Sequence, residues 1–454
     1  MKKYLPWILS SLLLISSGFG AERSPIVTIY NSDLGLIQEQ RTLSVQAGRQ
    51  TISITDVAAK IQPATVHLDA GEPRAFHLQE QNFQYDLVST GKVFDKYIGN
   101  PISLVTENDE SRSGQLLARD GSSLMLRKED GSLLIINAEK VKEYNFPSLP
   151  QGLILRPTLQ WIIDAEQAGE YPVRLSYLTE GLTWNAEYIL KLRQGDESGT
   201  LSSWVTLENS SGAAYSDATV KLVAGDIHRA QEEARARVAR EMALARAEAE
   251  PAVREREIFE YHLYEIGFPT TLEQNSMKQV TFRNPTEIDY QRVYTFEHRE
   301  RQTTEQENVN VEITFQNSTQ NNLGVPLPTG VVRLMQEDAD GSEVLVGEDR
   351  IRHTPRDEEV RLTAGKSFDV VGDREISEYE RRGNDFERWT VRITLRNHKD
   401  SAVTVAVIDH YYGDWEVLRE SLQSVREDAG TLRYEVEIPG QGESEVQYTV
   451  ERHL

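Results

Sequence analysis

The chain has 454 residues, 39% of them hydrophobic and 27% charged, which excludes wholesale disorder and is too long for a single hydrophobic core. A formal charge of −23 works against nucleic acid or anionic lipid as a partner, because both repel an acidic surface. With no cysteine there can be no disulfide, zinc thiolate, thiol nucleophile or lipid-bearing cysteine.

Residues 1–20 have the pattern of a secretory signal peptide. Lys2 and Lys3 form a positive start, and residues 5–15 are apolar but too few to span a membrane comfortably. Gly18 and Gly20 put small side chains at the −3 and −1 positions of a cut before Ala21. Cleavage removes two lysines and no acids, so the expected mature chain carries −25 and no integral membrane segment.

Residues 21–90 show short strands and turns, as where Ile52 and Ile54 alternate with Thr51, Ser53 and Thr55 after Ala47-Gly48-Arg49. In residues 91–150, Asp120-Gly121 and Asp130-Gly131 separate apolar runs at 116–117, 124–126 and 133–136. Asp-Gly favours the positive φ of tight turns, so consecutive hairpins are expected, most simply as a small closed barrel. Residues 151–226 form a further β unit: Trp184, Ala186, Tyr188, Leu190 and Leu192 alternate with Asn185, Glu187 and Lys191.

The period then changes. Residues 227–257 are expected as an exposed α-helical insertion, with Ala230, Ala234, Val238 and Met242 in one thin stripe. Glu233 with Arg237 and Arg246 with Glu250 support it as i,i+4 pairs. Such a stripe suits a solvated helix, or one that docks in a partner's groove.

Residues 258–454 return to strand patterning as a β-sandwich region. Val309, Val311, Ile313 and Phe315 alternate with polar residues, as do Trp389, Val391, Ile393 and Leu395. Three strands end in Asn on their apolar side: Asn209, Asn317 and Asn397. A side-chain amide there can pin the turn backbone, so the three are expected to be structural. The fold class predicted is thus mainly β, with sandwich and small-barrel domains in tandem and one helical insertion.

Motifs for chemistry are missing. No His-Glu-x-x-His or Gly-x-Ser-x-Gly occurs, and Gly440-Gln441-Gly442 runs into Glu443 where a phosphate loop needs a helix start. Asp409-His410 with Asp414 is the best local metal-like cluster, and Glu337-Asp338-Ala339-Asp340-Gly341 reads better as a hairpin turn than as a calcium loop. Trp184, Trp204, Trp389 and Trp415 read as core, while Tyr411-Tyr412 must point to opposite faces of a strand. No catalytic, cofactor-binding or metal-binding residue is assigned, and the ligand is left open.

Tyr177-Leu178-Thr179-Glu180-Gly181-Leu182-Thr183-Trp184-Asn185-Ala186-Glu187-Tyr188 and Leu222-Val223-Ala224-Gly225-Asp226 resemble segments of the mucoidy-inhibitor-like family of bacterial exported proteins. Gly324-Val325-Pro326-Leu327-Pro328-Thr329-Gly330 and Gly365-Lys366-Ser367-Phe368-Asp369-Val370 look like its C-terminal half. The resemblance implies export and β-rich domains, and brings no catalytic residue, cofactor or ligand. Many relatives carry a long coiled coil where this chain has its 97–146 hairpins, so coiled-coil assembly does not transfer.

The function expected is a non-catalytic binding or structural component of the cell envelope, periplasmic or extracellular, with envelope proteins or polysaccharide as partners. Its rival is a hydrolase of an envelope polymer that uses paired carboxylates, for which 72 acids offer many candidates.

Overall fold

Period-two patterning becomes strands throughout the computed structural model, which describes residues 23–71, 76–193, 195, 197–225, 253–258, 261–383 and 386–453. Thirty strands and one α-helix are formed among these residues. The expected signal peptide and the helix at 227–250 lie outside them. The last part of the insertion is corrected: Val253–Ile258 is a strand paired with Tyr261–Ile266.

The α-helix is Thr90–Tyr97, capped by Ser89, whose hydroxyl accepts from the Lys92 N–H at 3.4 Å. It leads into a five-stranded sheet in the order Val141–Asn145, Pro101–Thr106, Ser111–Asp120, Ser123–Arg127, Leu133–Asn137. Gly121 and Gly131, at φ 52° and 83°, make the two expected Asp-Gly turns. The sheet curls without closing, which corrects the closed barrel. A 3-10 turn, Ala138–Lys140, carries the chain across so that Val141–Asn145 pairs with the first strand and Leu133–Asn137 is left as an edge.

Segments 21–90 and 151–226, separate units by sequence pattern, interleave in one eight-stranded sheet. Arg23–Tyr30 lies parallel to Tyr215–Ala224, and Leu34–Val45 pairs with Gly169–Thr179 over eleven residues. Local patterning carries no record of such long-range pairing. A three-stranded sheet and the five-stranded sheet built on Leu182–Leu192 pack against it around one core, from Val27 and Trp161 through Trp184 and Tyr188 to Leu334. Gly181 turns the chain into that strand at φ 86°. A Cβ there would meet the Ser210 backbone at 2.7 Å, so only glycine fits.

A nine-stranded sheet forms the C-terminal part, with its own core around Trp389, Val391, Ile393, Tyr434, Tyr448 and Val450. Two long strands join the cores. On Thr304–Gln316, Val309 belongs to the C-terminal core, and Ile313 and Phe315 to the first. On Glu359–Arg382, Val360 and Leu362 lie in the first core and Val370 in the second. The ladder between these strands shifts register where they change cores, and Phe368 is turned out to 91% exposure there.

The three asparagines do one job. Asn209 Nδ2 donates to the carbonyls of Ala213 (2.8 Å), Leu272 (3.1 Å) and Glu273 (3.1 Å), and Asn397 Nδ2 to those of Ser401 (2.8 Å), Ile438 (3.4 Å) and Pro439 (3.0 Å). Each Oδ1 accepts from the backbone N–H two residues on. Asn317 repeats the scheme with Val325, Thr354 and Pro355, across a turn lengthened by the 3-10 segment Thr319–Asn321. Each amide ties the end of its own strand to a remote one, satisfying carbonyls that burial would otherwise leave unpaired.

Candidate functional site

Polar chemistry concentrates at one end of the nine-stranded sheet, where Glu359–Arg382, Phe386–Asn397, Gly442–His453 and Asp414–Glu420 lie side by side. Strand alternation divides it into a buried and an outer set. On the buried side Arg374, fully enclosed, gives its Nε to Asp409 Oδ1 at 3.0 Å and its terminal nitrogens to the carbonyls of Glu300 and Gln302. Tyr448 donates to the other Asp409 oxygen, and the hydroxyls of Tyr411 and Tyr448 are 2.8 Å apart. Burial opposes the Arg374 charge, but Asp409, Tyr448 and Tyr411 together outweigh it and hold the guanidinium above its ordinary pKa. Burial, then the Asp409 charge, pushes both tyrosines well above theirs.

A second buried acid, Glu387, meets Arg452 at 2.7 Å and the Tyr379 hydroxyl at 3.1 Å, with Arg381 and Arg301 at 3.4 and 3.8 Å. Burial raises the cost of its charge, yet these partners prevail and its pKa falls below the usual carboxylate range. Arg452 also reaches Glu300 at 2.7 Å, which links the two networks through one loop.

The outer face carries a charge ladder one residue wide on each of four strands. Register places Glu380 opposite Arg388, Arg388 opposite Glu451, and Glu451 opposite Glu416. Signs alternate until the last rung, where two carboxylates face each other on the edge strand. His453 shares this face, and its ring, with Glu416 and Glu451, brings three ligand atoms within 4.8 Å of one another. Those three are the residues that could hold a cation. Arg388 already engages one Glu451 oxygen, at 2.5 Å, and neutralises part of the charge a cation would seek.

The cluster read from sequence is not assembled. Alternation sends Asp409 inward to Arg374 and His410 outward to Glu297 at 2.6 Å, while Asp414 stands exposed opposite His453. Glu337-Asp338-Ala339-Asp340-Gly341 is the expected hairpin tip, with Gly341 at φ 84°. Tyr411 is buried and Tyr412 exposed, but both lie in the link between Val403–His410 and Asp414–Glu420 and not on the strand expected for them. Trp204 faces outward at 40% exposure while Trp184, Trp389 and Trp415 are core. Glu451 and His453 share a strand face and were visible at that level, but Glu416 joins them only through a pairing that sequence spacing does not encode.

A cavity of about 380 Å³ opens beside Lys191, Arg193, Met335 and Glu337. Its cations are paired: Lys191 bonds Glu343, which also lines the cavity, and Arg193 bonds Glu287 at 2.8 Å. No described helix is long and apolar enough to cross a membrane. No protein-family model matches the chain, and no curated protein matches it.

Proposed function

We propose that the chain is an exported component of the cell envelope that works by binding or bracing, with envelope proteins or polysaccharide as its partners. The observation that carries this reading is how the C-terminal sheet uses its ionisable groups. Arg374, Asp409, Glu387 and Arg452 neutralise one another inside the sheet, which locks strands together and leaves little free charge for proton transfer. The signal-like residues 1–20 and the resemblance of the 177–188 segment to the mucoidy-inhibitor-like family support export, to the periplasm or beyond.

Glu416 and Glu451 favour the rival reading, a carboxylate-dependent hydrolase. Their oxygens lie within 4.8 Å, near the separation of roughly 5 Å used by retaining glycosidases. They stand, however, on a sheet face with Glu416 and His453 exposed and with Arg388 bound to Glu451. Cross-linking in intact cells should recover discrete envelope partners, and protein from the envelope fraction should begin at Ala21 by intact mass. Purified protein should turn over no glycan, peptide or phosphoester. Hydrolysis that Glu416→Gln abolishes would overturn the binding reading.

A further inference from the structure

We infer that the curled sheet after the helix pairs with a second copy of this chain through the strand Leu133–Asn137. A sheet edge is a row of unpaired backbone groups, and folded proteins blunt such edges with charge, proline, bulges or brevity. Among the described residues eleven strands edge the five sheets, and nine carry at least one charged residue. Thr270–Leu272 carries none but is three residues long with both ends buried, and Leu133–Asn137 carries none and is exposed. Nor has it a proline, or a register shift against its neighbour Ser123–Arg127. The other edge of the same sheet is protected: Val141–Asn145 carries Lys142 and Glu143, and Lys142 meets Asp109 at 2.7 Å.

This unblunted edge is apolar on both faces. Leu133 and Ile135 are 59% and 64% exposed, and Met125 lies beside Ile135 on the neighbouring strand. Leu134 and Ile136 turn the other way and pack at the margin of the core formed by Phe94, Leu116 and Leu126. An added strand would extend that core inside and cover the apolar stripe outside.

Charge selects a second copy as the occupant. Residues 89–148 hold eight Lys and Arg against nine Asp and Glu, so −22 of the chain's −23 lies on the rest. The net charge of the rest sets two copies against each other, and this near-neutral unit is where they approach at least cost. Antiparallel pairing about a two-fold axis at Ile135 sets Ile135 against Ile135, Leu133 against Asn137 and Leu134 against Ile136. No charge then faces another, and two five-stranded sheets become one of ten strands.

The test is the mass of the full chain by sedimentation equilibrium over a wide concentration range. The wild type should dimerise, and Ile135→Lys, which opposes two lysines on the axis, should raise the dimer dissociation constant about a hundredfold or more. Val425→Lys, at an equally exposed apolar position, should leave it unchanged. Because the chain has no cysteine, Ile135→Cys gives a unique thiol, and antiparallel partners about 5 Å apart at Cα suit a disulfide. Oxidation should therefore link the dimer through residue 135 even where the lysine variant folds poorly. A wild type that stays monomeric overturns the proposal, as does a dimer that Ile135→Lys leaves intact and Ile135→Cys does not cross-link.

Discussion

The first core and the C-terminal core meet the same need, burying large aromatic residues between sheets, with different polar chemistry. In the first, buried polar tips are discharged onto backbone carbonyls: Tyr188 donates to Pro328 at 2.8 Å, Tyr264 to Pro326 at 3.1 Å and Trp184 to Val223 at 3.3 Å. In the second, Arg374 and Asp409 are ionised partners in the interior, and two tyrosines lean on the acid. A neutral tip that loses its partner strands one dipole. An ion that loses its partner strands a full charge in a poor solvent, so the second core should be far less tolerant of single substitutions.

The largest expected effect is therefore Arg374→Leu, at about 3–5 kcal/mol of lost stability in denaturant titration. Hydrogen exchange should quicken in Val403–His410 and Gly442–His453 while Leu182–Leu192 keeps its protection. Adding Asp409→Leu should restore much of the loss. A mild single variant would erase the contrast between the cores.

Next in size are the asparagines. Asn209→Ala in the first core and Asn397→Ala in the second should each cost about 2–3 kcal/mol, since both strand carbonyls from remote segments. Equal costs would show that this device works independently of the core it serves. A large difference would mean that one core relaxes around the lost amide.

Acid should sharpen the comparison further. The Arg396 bond holds the Asp373 carboxyl below its ordinary pKa in the C-terminal sheet. Its stabilisation is present above the unfolded-state value of about 4 and is lost as pH falls through the lower folded-state value. Unfolding followed between neutral pH and strongly acid solution should thus show an acid limb that Asp373→Asn flattens, at the expense of stability near pH 7.

The smallest effect should be a gain. Glu416→Gln removes one of two facing carboxylates and should add about 0.2–1 kcal/mol, measured by thermal unfolding at low salt. A loss instead would mean that the pair is held by something more than repulsion allows.

Much of this architecture could be read from the chain. The alternations at 184–192 and 389–395 placed the buried apolar residues correctly because a strand's period is a local property, although Thr390 on the polar side is also buried. Thr90–Tyr97 escaped notice because eight residues with Gly91 inside offer only Phe94 and Tyr97 as buried anchors. Which strands share a sheet depends on pairings over long stretches of sequence, as with Ile26 and Thr219. The outer charge ladder was hidden for the same reason, since Glu380, Arg388, Glu416 and Glu451 sit on four strands and become neighbours only through register.

The strand Glu359–Arg382 has a mechanical consequence. Its 24 residues extend about 80 Å, paired first with Thr304–Gln316 and then with Phe386–Asn397, and anchor in both cores on the way. A flexible tether would let the two cores tumble separately and would slacken under tension. A paired strand acts as a beam, resisting bending and carrying a longitudinal pull from one core into the other. Such a pull loads its ladder in shear, so many hydrogen bonds bear the force together instead of opening one after another. Anchored at both ends, the protein would behave as a stiff strut.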